Sequence, residues 1–194
     1  MKKNLFVLLL LGVINMIPSC DPCGDDNPRY YKINEVELQL GSFTSTSESP
    51  GFEISEEGDT LKYNNAYFQI SATDIAYVLN ENNYFIANAL YACSPTSPKP
   101  AQSIVRISIT SSETLYLKER TVPPNALLSR YFSTDNLTSI VNFIANKPSI
   151  RNYLRFKLNT PPAKMINQPF TFVIEMDDGK IFELTLDNVR IAAD

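Results

Sequence analysis

Apolar and polar residues alternate over much of this chain, with the period of two expected of strands that bury one face and wet the other. Val36, Leu38 and Leu40 alternate with Glu35, Glu37 and Gln39, which predicts a strand over 33–40. Residues 41–58 are polar and read as a long connection with a short strand around Phe52. Residues 61–93 are aromatic-rich. Within them Ile75, Tyr77 and Leu79 alternate, Asn80-Glu81-Asn82-Asn83 supplies a turn, and a further strand, or a helix over 87–92, follows from Tyr84. Pro95, Pro98 and Pro100 stiffen an exposed loop. Val105, Ile107 and Ile109 then mark the clearest strand, with Leu115 and Leu117 as its partner and Val122-Pro123-Pro124 as the stop.

Only residues 134–146 carry a helical period. Leu137, Ile140, Val141 and Ile144 fall on one stripe, Thr134 is placed to cap, Asp135 suits the positive end of the helix, and Pro148 stops it. Such a stripe belongs against a sheet. Leu154, Phe156 and Leu158 predict another strand.

The last segment fixes a turn by parity. Phe170, Phe172, Ile174 and Met176 alternate before Asp177-Asp178-Gly179, and Phe182, Leu184 and Leu186 alternate after it. A two-residue loop would set Ile174 opposite Glu183 and put the two apolar rows on opposite faces. A three-residue loop, with Gly179 left-handed and a bulge after it, pairs Phe172 with Leu184 and Ile174 with Phe182. One buried face requires the second. Nine or so short strands and one helix predict a mainly β fold, a two-sheet β-sandwich of immunoglobulin or transthyretin type with a crossover helix near 134–146; an α+β fold is the alternative.

The first twenty residues do not fit that pattern. Lys2 and Lys3 precede an apolar run from Leu5 to Ile14, too short to span a bilayer, and Asn15 and Pro18 interrupt its far side. Ile17-Pro18-Ser19-Cys20 resembles the lipobox of bacterial lipoproteins, with an aliphatic residue three before the cysteine and a small one just before it; Pro18 departs from the usual small residue. The resemblance implies cleavage before Cys20, a diacylglycerol on its sulfur and a further acyl chain on the new amino terminus. More than one chain matters, because a single chain anchors only marginally. The acidic stretch at Asp21, Asp25 and Asp26 resembles the surface-export signal of Bacteroidetes-type lipoproteins, and it reads equally as a solvated tether. The β-rich remainder is similar to Bacteroidetes-type envelope lipoproteins of comparable size, a resemblance that carries no activity.

The expected organisation is therefore a signal peptide over 1–19, a lipidated tether over 20–31 and a single β-rich domain over 32–194. Of 194 residues, 19 belong to the leader and 175 remain, and removing Lys2 and Lys3 takes the formal charge from −4 to −6. That balance argues against nucleic acid. Three cysteines are an odd count; acylation of Cys20 leaves Cys23 and Cys93 for a disulfide in an oxidising compartment, with two free or buried thiols as the alternative.

With no histidine, Ser/His/Asp and Cys/His relays and His-containing metal sites are excluded, and no metal or cofactor is expected. Paired carboxylates at Asp177-Asp178, Glu56-Glu57 and Asp25-Asp26 each read as solvated charges rather than as a glycosidase pair. Asn136-Leu137-Thr138 spells a glycosylation sequon but falls where a helix cap is predicted. The expectation is a non-catalytic, membrane-anchored envelope lipoprotein, structural or protein-binding, that offers its edge strands to a partner. The alternative is a surface glycan- or peptide-binding lipoprotein. With ten Tyr, eleven Phe and no Trp, the aromatics nearest predicted turns are Tyr84, Phe85, Tyr131 and Phe132, the expected recognition patch.

Mass spectrometry of the non-reduced mature protein is expected to find an acylated Cys20 and a Cys23–Cys93 peptide, whose bridge would restrict the unfolded chain by about 4 kcal/mol. Free thiols at Cys23 and Cys93 would instead leave a flexible tether.

Overall fold

A computed structural model describes residues 30–46, 49–56, 58–78 and 97–193. Cys20, Cys23, Cys93, Tyr84 and Phe85 lie outside the described residues, as do the turn at 80–83, Asp25, Asp26 and Glu57.

The chain is mainly β, built from two sheets facing one another. The first holds β1 (Tyr30–Thr46), β2 (Ser49–Ile54), β4 (Tyr67–Val78), β5 (Lys99–Pro100), β9 (Phe132–Thr134) and β10 (Tyr153–Leu158), in the order β2-β1-β4-β10-β9 with β5 also beside β1. The second runs β3-β12-β11-β6, from β3 (Leu61–Lys62), β12 (Ile181–Ala192), β11 (Ile166–Met176) and β6 (Ile104–Thr110). Strands β7 (Leu115–Leu117) and β8 (Arg120–Val122) form a separate small hairpin, and α1 (Ile140–Ala145) links β9 to β10.

Phenylalanine holds the sheets together. Phe68 of β4 reaches across to Phe170 and Phe172 of β11, with ring centroids 5.4 and 5.2 Å apart, and Phe132 of β9 lies 5.6 Å from Phe68. Phe156 and Phe172 stand 6.2 Å apart. All five are fully buried, so each contributes about 2–3 kcal/mol of apolar transfer.

The terminal hairpin has the three-residue loop. Phe172 pairs with Leu184 and Ile174 with Phe182. The Gly179 N–H donates to the Met176 carbonyl (3.0 Å), the Met176 N–H donates to the Lys180 carbonyl (2.8 Å), and Gly179 has φ of +85°. A left-handed φ at that position costs glycine nothing and a side chain about 1 kcal/mol.

Three expectations are corrected. The helix is shorter than predicted: Thr134 pairs with Phe156 in β9, Leu137 adopts φ of +61° and is exposed, and Ser139 caps α1 by accepting from the Asn142 N–H (3.3 Å). Its inward side is Ile140, Phe143 and Ile144, while Val141 faces water. The sequon is thus in the loop before the helix. Leu115 and Leu117 pair with Val122 and Arg120, not with the strand before them. Val105 is exposed, because β6 shifts register between Arg106 and Ile104 and buries Ile104 instead.

A second irregularity locks the two sheets at one corner. The β1–β4 register slips on both sides of Glu35, so Ile33 and Val36, an odd number of residues apart, both turn toward the core side. The freed backbone is met by the other sheet: the Ile33 N–H donates to Gln102 Oε1 (2.6 Å), and Lys180 Nζ donates to the carbonyls of Ile33 (3.1 Å) and Asn34 (2.7 Å). Gln102, buried, in turn donates through Nε2 to Asp178 Oδ2 (2.7 Å).

Desolvation opposes the Asp178 charge, but the Gln102 hydrogen bond, backbone N–H groups and the Lys32 ammonium outweigh it, so this carboxyl titrates below the ordinary range. A lowered folded pKa contributes stability above the unfolded value of about 3.9 that is lost as pH falls through the folded one. Asp178→Asn is expected to reduce stability at neutral pH and to match wild type at strongly acid pH in urea titrations. An equal deficit at every pH would show that the Asp178 charge is not involved.

Candidate functional site

Two places on the described surface concentrate chemistry: the outer face of the first sheet and the open side between the sheets. The face follows from parity. With Phe68, Ile70, Phe156 and Leu158 buried, the intervening Tyr67, Gln69, Tyr153, Arg155 and Lys157 turn outward. Registers Gly41↔Tyr67, Phe43↔Phe52 and Arg155↔Gln69 gather them beside Phe43 and Phe52. Gly41 permits this, because a Cβ there would strike the Glu53 carbonyl and the Phe52 ring. The Asn65 side chain continues the ladder past Gly41, accepting from the Phe43 N–H (3.1 Å) and donating to its carbonyl (2.8 Å).

Arg155 is the centre of this face. Its guanidinium carbon lies 3.9 Å from the Tyr153 ring centre, 4.3 Å from Phe52 and 4.8 Å from Phe43, and its Nε donates to Gln69 Oε1 (2.8 Å). Lys157 Nζ stands 5.6 Å over Tyr67, whose ring meets Phe43 edge-on at 5.1 Å. Among the described residues neither cation has a carboxylate within salt-bridge distance; the ion pair present is Arg106–Glu175, on the other sheet. The face therefore offers flat rings with two cations stacked on them, suited to planar or anionic ligands. A groove of about 280 Å³ adjoins it, between Tyr153, Leu154 and Arg155 and the loop at Asp135, Asn136 and Thr138.

A larger cleft of about 420 Å³ opens where β1 faces β12. Leu38, Leu40, Ile54, Leu186 and Val189 give it an apolar lining, and Glu37, Glu56, Asp59 and Asp187 give it negative charge. The Glu56 N–H donates to Asp59 Oδ2 (3.0 Å). Among the described residues no group of three or more Cys, Asp or Glu is arranged to hold a metal ion, and no helix is long and apolar enough to cross a membrane.

The expected aromatic patch is corrected at its described half. Tyr131 is 6% exposed and Phe132 fully buried. Ser129 Oγ accepts from the Ile109 N–H and donates to the Ile107 carbonyl, both at 3.1 Å, which straps the turn before β9 onto β6 and drives Phe132 among the core rings. Asp177 and Asp178 are exposed in the hairpin turn. The face residues were readable in part, since Tyr67, Tyr153, Arg155 and Lys157 alternate with core positions. Phe43 and Phe52 stand in what the sequence presents as a polar connection.

No family model and no curated protein matches the chain. Among solved structures it is similar to the C-terminal domain of the Streptococcus agalactiae antigen I/II polypeptide BspA, at 11% identity and a TM-score of 0.26, over 82% of this chain and 50% of that one. It is also similar to the C-terminal domain of AspA, an antigen I/II-family protein of Streptococcus pyogenes, at 9% identity and a TM-score of 0.26, over 82% and 47%. The chain thus spans about half the length of these β-rich neighbours.

Proposed function

We propose that this is a lipid-anchored protein of the bacterial cell envelope whose β-sandwich is a non-catalytic interaction module. The observation that carries the reading is the leader: a basic start, a short apolar run and Ile17-Pro18-Ser19-Cys20. Acyl chains on Cys20 hold the domain at a membrane. What the domain presents there supports recognition rather than turnover: an outer face of rings and cations, and an open side between two sheet edges. In wild-type cells the protein is expected in the detergent-soluble membrane fraction, and Cys20→Ser, which cannot be acylated, in the soluble fraction. Equal membrane retention of the two would refute lipid anchoring.

The Arg155 face favours a second reading, a surface protein that binds glycans or peptides. Stacked rings orient a sugar face or an aromatic side chain, and Arg155 and Lys157 add an anionic preference. On glycan and peptide arrays, retained ligands are expected to be enriched in carboxylate or sulfate groups, and Arg155→Ala to weaken them about tenfold, equivalent to ~1.4 kcal/mol. A silent array, or binding indifferent to Arg155→Ala, would end this reading.

A further inference from the structure

We infer that the open side between β1 and β12 receives an extended basic peptide segment of a partner, which pairs with the free edge of β12. This deepens the interaction-module reading and rests on it.

Among the described residues most of this edge has no strand neighbour. Strand β12 is paired along one side by β11, whereas on the other side, among the described residues, only β3 meets it, at Ile191 and Ala192. The direction of its backbone groups follows from the turn. The Lys180 carbonyl accepts from Met176, so Lys180 faces β11. Alternation then turns Phe182 and Leu184 to β11, and directs the N–H and C=O of Ile181, Glu183 and Thr185 outward. All three are exposed. Such a row of unpaired donors and acceptors is a template for another strand.

Strand β1 faces the same opening. Its side away from β4 is occupied by β5 at Tyr30 and Tyr31 and by β2 from Gly41 onward, leaving the stretch from Val36 to Gln39 without a strand neighbour among the described residues. The opening is bounded at one end by Lys180 on the Ile33 and Asn34 carbonyls, and at the other by β3 on β12. Between these limits lies the 420 Å³ cleft.

Its chemistry selects the occupant. Leu38, Leu186 and Val189 form an apolar floor, while Glu37, Asp59 and Asp187 line the opening and, among the described residues, no Lys or Arg does. A strand laid there would send alternate side chains to the floor and the others to the carboxylates. Aliphatic residues alternating with Lys or Arg satisfy both. A second copy of this chain pairing edge to edge would bring Glu183 and Asp187 against like charges, which disfavours self-association. A neutral glycan would leave both the backbone row and the acids unused.

The test uses the full chain as the Cys20→Ser variant, so its outcome is independent of anchoring. The probe is a blocked seven-residue peptide alternating Lys and Val, compared with a Glu/Val peptide, a scrambled Lys/Val peptide and one N-methylated on alternate backbone nitrogens, by fluorescence anisotropy. Binding of the Lys/Val peptide is expected, weakened tenfold or more in each comparison peptide. Asp187→Lys with Glu37→Lys is expected to weaken it similarly. So is Thr185→Pro, which deletes an outward N–H at an edge where proline is tolerated; Thr185→Val controls for loss of its hydroxyl contact with Thr171 (3.0 Å).

Thermal melts identify any variant that fails to fold, and the charge reversals then carry the result alone. No binding at about 1 mM peptide, the weak limit of specific association, would overturn the proposal. Equal binding of the scrambled or N-methylated peptide, or indifference to the charge reversals, would overturn it too. A dimer in sedimentation that Thr185→Pro dissolves would overturn it in favour of a second copy.

Discussion

The structure depends on the interleaving of five phenylalanines between its two sheets. Phe68, Phe132 and Phe156 descend from one sheet and Phe170 and Phe172 rise from the other, close enough that no ring in the group can be shortened without opening a void. Because side chains alternate along a strand, fixing these inward positions fixes the outward ones. Arg155 stacks on Phe43, Phe52 and Tyr153 because Phe156, its neighbour in sequence, is committed to the core. The surface face is the reverse side of the core.

That same coupling explains what was legible in the sequence. Where alternation is unbroken the strand could be read directly, and in the hairpin it was enough to choose the loop length, since only one parity buries Phe172 and Leu184 together. Where a strand carries an irregularity, parity misleads. Val105 looks like a core residue beside Ile107 and Ile109, and the register shift exchanges it for Ile104. Ile33 and Val36 look incompatible until the slips around Glu35 reconcile them. Nothing local in the residues announces these shifts; they arise because two twisted sheets must meet along a common core.

Helix and aromatic placement failed for a related reason. The stripe at Leu137, Ile140, Val141 and Ile144 has a helical period, but Thr134 is claimed by β9 through its pairing with Phe156, and the chain must then turn at Leu137 before a helix can start. Tertiary pairing overrode the local pattern. Tyr131 and Phe132 sit by a turn, as the sequence suggested, and yet Ser129 ties that turn to β6 and makes it part of the interior. Being near a turn predicts exposure only when the turn is not itself strapped to a neighbouring strand.

The open side poses a physical problem for which the acids are one answer. A sheet edge with outward N–H and C=O groups invites pairing with any extended chain, its own copies included, and charged residues along an edge suppress that. Here Glu183 lies on the edge while Glu37, Asp59 and Asp187 line the cleft beside it, in a chain whose formal charge is −4. Negative charge repels another acidic copy by the same electrostatics that would attract a basic strand. One set of carboxylates would thus disfavour pairing of the edge with an acidic copy and favour a basic strand on it, so that protection and selection would be a single property of this surface.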